Sequence, residues 1–171
     1  MALHLIIDGY NVIRQMPVWR DLDAQDLQWG REALLASLAA YRRVKKHPIT
    51  VVFDGTGSEL LGHRDFFQGI LILYSRQDET ADDVIKRLIA RERERGLVVT
   101  SDREIIDHAL RVGAAVMSAP EFALRLQLAE GHAGPEDEAE DDHHPTGTKK
   151  KGPSHRAPKK LRRLHVRLKK I

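Results

Sequence analysis

The chain lacks cysteine, any long apolar run and a basic leader, and each absence excludes a class of structure. Without cysteine there are no disulfides and no thiolate metal sites, a usage that fits a reducing cytoplasm. No apolar stretch approaches the roughly 18 residues that span a bilayer, so no membrane contact is expected. The sequence runs from "MALHLII" straight to an acid. We therefore predict no signal peptide and a cytoplasmic protein.

Charge of one sign is missing from each of two C-terminal segments. Residues 1–125 are nearly balanced, with 17 Lys and Arg against 18 Asp and Glu. Residues 126–148 carry seven acids and no Lys or Arg, whereas residues 149–171 carry eleven Lys and Arg and no acid. Such a basic arm usually meets nucleic acid or another anionic surface, although it can also be a solubilising tail. The predicted RNA-binding residues are Lys149, Lys150, Lys151, Arg156, Lys159, Lys160, Arg162, Arg163, Arg167, Lys169 and Lys170.

Apolar strands alternate with amphipathic helices from residue 3 to about residue 127. The predicted strands are 3–7, 49–53, 70–74, 97–102 and 114–118, and the predicted helices are 26–46, 80–96, 103–113 and 120–130. Strands separated by helices imply right-handed crossovers, hence a mainly parallel five-stranded sheet with helices on both faces. The fold class is α/β. Segment 56–68 is interpreted as a loop over the top of the sheet.

The length suits one domain with an appendage. We assign residues 1–129 to the folded domain. Residues 130–153 have almost nothing to bury, and such composition predicts a flexible linker that turns from acidic to basic. Residues 154–171 form the basic tail, which fits either a helix or a strand pattern and is predicted to contact nucleic acid or a ribosome.

Three acids stand at the ends of predicted strands: Asp8, Asp54 and Asp102. In open parallel sheets the carboxyl ends of the strands share one edge, and ligands bind there. The helix that follows the third strand starts at the same edge and brings Glu79 and Asp82 near. Helical geometry places Asp82 on the flank of the apolar face, so that it can lean into the crevice.

Each acid also has a structural interpretation. Asp83 lies three residues after Thr80 in a capping-box pattern, and Ser101 with Glu104 makes another. Asp102 would then favour the helix N-terminus through the macrodipole. Asp54 and Asp82 have comparable turn and helix-start interpretations. Asp8 is the hardest to explain in this way, because a carboxylate at a buried strand end costs desolvation energy.

Several carboxylates in one crevice repel each other, and a divalent cation would relieve that repulsion. Oxygen ligands without cysteine or a spaced histidine pair favour Mg²⁺ or Mn²⁺ over Zn²⁺. Asn11 either orients a water or phosphate from the "DGYN" turn or caps the segment after it. Ser101 offers a hydroxyl at the same edge. Such a site would polarise a phosphate oxygen and activate water.

The order of six segments resembles a known family. They are "LIIDGYNVI", "GREALLASLAAYRR", "TVVFDG", "SRQDETADDVIKRLI", "VVTSDREI" and "MSAPEF", and the likeness covers about residues 3–129. This order is similar to that of NYN-domain proteins of the YacP-like bacterial branch, within the PIN-like nuclease superfamily. The resemblance implies a metal-dependent RNase with strand order 3-2-1-4-5.

The resemblance also implies the site residues. The family's strand-one acid falls on Asp8, the acid of its "ETAD" motif on Asp82 and that of its "TSD" motif on Asp102, the three implied catalytic and metal-binding residues. Its supporting residues fall on Asn11, Asp54 and Glu79 in this chain. No departure from the family pattern occurs at these positions.

The leading hypothesis is an endoribonuclease of RNA decay that cleaves single-stranded RNA, with mRNA as a candidate. A water activated by Mg²⁺ or Mn²⁺ would attack the phosphate and leave 5′-phosphate and 3′-hydroxyl ends. The alternative is a non-catalytic protein that binds RNA or the ribosome through its tail, without a small-molecule cofactor. A phosphoacceptor receiver domain is discounted, because it would need a second acid beside Asp8 and a lysine after the fifth strand. Here Gly9 follows Asp8, and "AAVMSAPEF" has no lysine. "DGYN" is not the G-x-G-x-x-G turn of a dinucleotide-binding domain.

Overall fold

The computed structural model describes residues 3–55 and 61–131, which form a sheet covered by helices. The strands are β1 (His4–Asp8), β2 (Ile49–Phe53), β3 (Arg64–Phe67), β4 (Ile70–Tyr74), β5 (Gly96–Val99) and β6 (Ala115–Met117). The helices are α1 (Gly9–Ile13), α2 (Pro17–Gln25), α3 (Leu27–Val44), α4 (Ala81–Glu92), α5 (Arg103–Val112) and α6 (Ala119–Gly131). The basic tail, its eleven basic residues and the linker from residue 132 onwards lie outside the described residues.

The sheet has the strand order β3-β4-β2-β1-β5-β6. Neighbours are parallel except for β3, which runs antiparallel to β4 at one edge. The predicted order of the five parallel strands is confirmed, with β4, β5 and β6 as the third, fourth and fifth. Successive strands are added to one side of β1 up to β4 and to its other side from β5 onwards, which makes the carboxyl ends of β1 and β5 the switch point.

The prediction of five strands was incomplete, because β3 falls in the segment that we interpreted as a loop. A two-residue turn, Gln68–Gly69, joins β3 to β4, and both residues have positive φ angles of 46° and 78°. These angles suit the tight turn of a hairpin. The strand itself is short and largely exposed. It therefore lacks the alternation of apolar and polar residues from which a half-buried strand is predicted.

Two separate cores cover the two faces of the sheet. On one face, Leu5 and Ile7 of β1 pack with residues of α1, α3 and α6, including the fully buried Leu34 and Phe122. On the other, Ile6 packs with α4 and α5. Alternate residues of β1 thus serve opposite cores, as the two-residue period of a strand requires.

Several helix boundaries differ from the prediction. The short helices α1 and α2 were not predicted, although Pro17 at the first position of α2 is a typical start signal. The helix α4 ends at Glu92 and continues as a 3₁₀ turn to Arg95, so Gly96 begins β5 and is not the helix stop. The spacing of Leu27, Leu34 and Leu38 predicts one apolar face of α3, yet Leu27 is 40% exposed. Across the described ranges, no helix combines the length and apolarity needed to cross a bilayer.

Candidate active site

Asp8 is the last residue of β1 and the N-cap of α1, at the switch point. Its Oδ2 accepts a hydrogen bond of 2.9 Å from the Thr100 hydroxyl, and its Oδ1 accepts a longer one of 3.4 Å from the backbone amide of Asn11. Thr100 itself is fully buried, directly after β5. The strand-end carboxylate is therefore held by the neighbouring strand as well as by its own turn.

Asp102 lies three residues beyond β5, because that strand ends at Val99 and not near Asp102 as predicted. Its Oδ1 accepts hydrogen bonds of 2.8 Å and 3.1 Å from the backbone amides of Glu104 and Ile105. Asp102 is thus the N-cap of α5, and the predicted Ser101–Glu104 capping box is wrong. An extended Asp102 backbone, with φ −73° and ψ 126°, gives the cap to this residue.

Two polar side chains tie the switch-point loops together. The Thr100 hydroxyl donates to Asp8 and accepts the Asp102 amide at 3.1 Å. Asn11 Oδ1 accepts the Ser101 amide at 2.9 Å, which joins α1 to the loop after β5. Ser101 therefore meets the site through its backbone amide, while the buried hydroxyl beside Asp8 belongs to Thr100. Asn11 lies inside α1 and bridges the two loops, and the cap of α1 is Asp8.

Asp54 anchors the helix that carries Asp82. Its Oδ1 accepts hydrogen bonds of 2.8 Å from the Ala81 amide and 3.3 Å from the Ser75 hydroxyl. One carboxylate oxygen after β2 thereby fixes the first turn of α4. Asp82, the second residue of that helix, is half-buried and electrostatically coupled to the other acids.

The charges of Asp8, Asp82 and Asp102 act on one another. Burial, and to a smaller extent the charges of Asp82 and Asp102, raises the pKa of Asp8 to about 6, against the lowering effect of its hydrogen bonds to Thr100 and Asn11. Burial and then the Asp102 charge raise the pKa of Asp82, whereas Lys86 lowers it. Lys86 forms an ion pair with Glu104, so a cation joins α4 to α5 beside the acids. Mutual repulsion of carboxylates in a partly dry crevice is typical of functional sites.

Glu79 and Asp83 point to other partners. Glu79 forms an ion pair with Arg87 and is not among the charges that shift Asp8 or Asp82. Asp83 closes the predicted capping box with Thr80, which confirms that interpretation. Its hydrogen bonds to Thr80 lower its pKa. The structure therefore separates Asp82 from its two acidic neighbours along the chain.

The donor set suits a hard divalent cation, but the carboxylates stand apart. Within residues 3–55 and 61–131, no three His, Asp or Glu side chains are close enough to hold a metal ion as they stand. Their oxygens are nonetheless the ligands that Mg²⁺ and Mn²⁺ prefer, and the repulsion on Asp8 is of the kind that a cation removes. Asp82 is half-buried and caps no helix, so a rotamer change of its side chain can move its carboxylate relative to the fixed Asp8 and Asp102.

A group of aromatic rings with one arginine adjoins the acids. Gly9 packs on Phe53 so closely that a Cβ would lie 2.2 Å from the ring. The Phe53 ring meets Tyr10 edge-on at 5.1 Å and stacks on Tyr74 at 5.7 Å. Arg31 donates 3.0 Å to the Tyr10 hydroxyl and lies 5.8 Å over the Tyr74 ring. Sequence reasoning missed this group, because its members lie far apart in the chain and form no spaced motif.

The fold and the acid group define an α/β protein with carboxylates at the switch point, as in the PIN-like nucleases. The sequence matches the family profile of the YacP-like NYN domain over residues 5–165, and the chain belongs to this family. The predicted family resemblance is thus confirmed. The match also extends past residue 129, the limit that the sequence resemblance predicted. Membership supports a nuclease-like, RNA-related function.

Relatives from Bacillus subtilis support this assignment. The chain is 30% identical over 84 residues to the uncharacterized protein YacP of strain 168. That alignment spans about half of each protein, 49% of this chain and 49% of the relative. The crystal structure of Rae1 (YacP) superposes with a TM-score of 0.66 at 27% identity, over 77% of both chains. The crystal structure of the W164L mutant of Rae1 superposes with a TM-score of 0.64 at 26% identity, over 76% of this chain and 78% of the other.

Proposed function

We propose that the protein is a metal-dependent endoribonuclease that cleaves single-stranded RNA, with mRNA as a candidate substrate. One observation carries this proposal. Asp8, Asp82 and Asp102 come from three separate elements and repel one another at the switch point. Stability alone would not select that arrangement, because burial and repulsion both oppose ionisation of Asp8. Selection for a cation and a phosphate at this edge explains it.

Asp8, Asp82 and Asp102 are the residues that would hold Mg²⁺ or Mn²⁺. When bound, such an ion supplies Lewis-acid polarisation of the phosphate and lowers the pKa of a water molecule. The chain's own contribution is to orient the carboxylates. The Thr100 hydroxyl directs Asp8 Oδ2, and Asp54 fixes the first turn of α4 that carries Asp82.

Supporting residues have narrower proposed parts. Asn11 holds the loop after β5 through the Ser101 amide. Glu79 is compensated by Arg87, which limits its proposed part to positioning the segment before α4. Arg31 is proposed to bind an RNA phosphate near the scissile one, because its half-buried guanidinium is held beside the Tyr10 that follows Gly9.

The basic tail is proposed to add phosphate affinity without sequence preference. If six to ten of its charges contacted phosphates, affinity for RNA would fall by roughly 10³–10⁵ between 50 and 200 mM salt. The proposed partner is RNA, either free or presented by a ribosome.

Cleavage of a labelled single-stranded RNA tests the proposal. Reactions with Mn²⁺, Mg²⁺ or EDTA compare the wild type with Asp8→Asn, Asp82→Asn and Asp102→Asn. Asp107→Asn, an exposed acid of α5, is the matched control. We expect metal-dependent cutting to 5′-phosphate and 3′-hydroxyl ends, a loss of at least about 100-fold in the three variants, and little change in the control. Equal RNA binding without cutting by any of the proteins would favour the non-catalytic RNA-binding alternative.

A further inference from the structure

A basic cavity lies at the amino-terminal edge of the sheet, opposite the acids. It is an open cavity with a volume of about 630 Å³, and it is lined by the end of α3, the loop to β2, the start of β2 and the β3–β4 hairpin. That volume is within the range of small-ligand sites. The β1 strand, which has Asp8 at its carboxyl end, begins here with His4. The cavity and the candidate active site are therefore separated by the length of a strand.

The cavity concentrates positive charge. Arg42, Arg43 and Lys46 line it with His4 and His47, and the lining residues in the described part of the chain include no acid. Next to the lining, Glu92 Oε1 lies 3.5 Å from His4 Nδ1, while His4 Nε2 is 2.7 Å from the Thr50 hydroxyl. Three permanent cations around one cavity repel one another, and a bound anion would relieve that repulsion.

Arg42 is held in place by the hairpin. Its Nη1 donates a hydrogen bond of 3.2 Å to the Gln68 carbonyl. A Cβ at Gly69 would lie 2.7 Å from the same nitrogen, so the guanidinium packs on a surface that only glycine provides. The guanidinium is therefore oriented before any ligand arrives, which lowers the entropy cost of binding.

Apolar side chains form another part of the lining. Ile49 and Leu71, from the first halves of β2 and β4, form part of the lining. Phe66 also lines the cavity and is 62% exposed, which is unusual for a large aromatic side chain. The Arg64 guanidinium lies 5.4 Å over its ring. A ligand with both an anionic group and a flat ring would match cations on one side and Phe66 on the other.

We propose that this cavity binds a nucleotide unit, with its phosphate on Arg43 and Lys46 and its base against Phe66. The unit can come from a free nucleotide or from an RNA chain, since both present the same phosphate and ring. The proposal is independent of catalysis at Asp8, because its readout is binding in EDTA. A protein that failed to cleave RNA could still bind at this cavity.

The test compares two double variants that remove the same charge. Arg43→Gln/Lys46→Gln changes the cavity, whereas Arg20→Gln/Arg111→Gln removes two exposed arginines of α2 and α5. Binding of AMP and of inorganic phosphate is measured by calorimetry, and binding of a labelled single-stranded RNA by anisotropy over a salt series. All measurements contain EDTA, and thermal unfolding verifies that each variant is folded.

For a free nucleotide, AMP should bind more tightly than phosphate, and Arg43→Gln/Lys46→Gln should weaken AMP at least about tenfold. Phe66→Ala, at an exposed position, should also weaken AMP by about fivefold or more. If the cavity instead binds a unit of an RNA chain, AMP binding should be undetectable. Arg43→Gln/Lys46→Gln should then lower the salt slope of RNA binding by about 1.4 relative to Arg20→Gln/Arg111→Gln. Equal behaviour of the two double variants towards AMP and RNA would overturn the proposal.

Discussion

Asp8→Asn should stabilise the metal-free protein while it abolishes the proposed activity. The raised pKa of Asp8 means that the folded protein opposes ionisation of this carboxylate. At neutral pH the charge is nevertheless present, close to Asp82 and Asp102. An amide of the same shape removes the charge and its repulsion. Residues selected for a site often reduce stability, so a gain on substitution would mark Asp8 as functional.

The magnitude follows from the pKa. A rise from 3.8 to about 6 corresponds to about 3 kcal/mol of destabilisation once Asp8 is fully ionised. The side-chain NH₂ that Asp8→Asn introduces must face either the backbone N–H of Asn11 or the Thr100 hydroxyl. Both of these groups donate to Asp8 in the wild type, so the loss of one hydrogen bond costs about 1 kcal/mol. We therefore expect Asp8→Asn to raise the free energy of unfolding by about 2 kcal/mol at pH 7.5.

The sign of the pH dependence is fixed by the same shift. Between pH 3.8 and about 6, the folded wild type binds more protons at Asp8 than the unfolded chain does. The contribution of Asp8 to the free energy of unfolding therefore falls as pH rises through this window and is constant above it. Asn has no such dependence, so the advantage of the variant should appear as pH rises from about 4 to 6.

Urea unfolding in EDTA, followed by the fluorescence of the buried Trp19, measures the difference. Asp107→Asn is the control and should stay within about 0.5 kcal/mol of wild type over the whole range, since it is exposed. A variant that is less stable than wild type at pH 7.5 would refute the reasoning. So would a gain that is the same at pH 4 and pH 7.5.

Adding Mn²⁺ should make the wild type more stable than Asp8→Asn, the reverse of the order expected in EDTA. At a concentration of Mn²⁺ about 100 times its dissociation constant, a ligand bound only by the folded state adds about 2.7 kcal/mol. That stabilisation should appear in wild type and be lost in Asp8→Asn, with Asp107→Asn behaving as wild type. Equal stabilisation of wild type and Asp8→Asn would mean that the ion binds elsewhere.

Three further perturbations test neighbouring contacts. Gly9→Ala should lower the free energy of unfolding by roughly 1–3 kcal/mol, because its Cβ would overlap the Phe53 ring; a change under about 0.5 kcal/mol in urea unfolding would contradict that contact. Thr100→Val should raise the pKa of Asp8 above about 6, because the hydroxyl lowers it; a carboxyl NMR titration in EDTA that shows no rise would exclude this hydrogen bond. Arg31→Gln should raise KM for RNA about tenfold at nearly constant kcat, and a loss confined to kcat would place Arg31 in the chemistry instead.

The fold was predictable because its signals are local. The apolar runs of β1, β2 and β4, together with the periodic helices α4 and α5, were recognisable from residue spacing alone. β3 was missed because an exposed four-residue strand gains its stability from hairpin pairing with β4, a contact that no spacing within β3 encodes. The short α1 was missed for a related reason, since its start is set by the Asp8 cap and its position by packing against α3.

The sequence was enough to propose residues for the candidate site, but it could not predict the contacts between them. Strand-end position identified Asp8 and Asp54, and helix geometry separated Asp82 from Asp83. The sequence could not show that a buried Thr100 hydroxyl, and not that of Ser101, contacts Asp8. Nor could it show that Glu79 forms an ion pair with Arg87. Such pairings depend on side chains from different elements, so they exist only after the chain has folded.

The competing interpretations of the acids turn out to be compatible. Asp102 caps α5 with Oδ1, yet its charge still raises the pKa of Asp8 and of Asp82. Asp54 anchors Ala81, and that anchor is what brings Asp82 to the crevice. A capping carboxylate has a fixed position, because its helix amides hold one oxygen. We infer that capping supplies the rigidity a cation site needs, so a structural role for an acid at a strand end is no argument against a catalytic one.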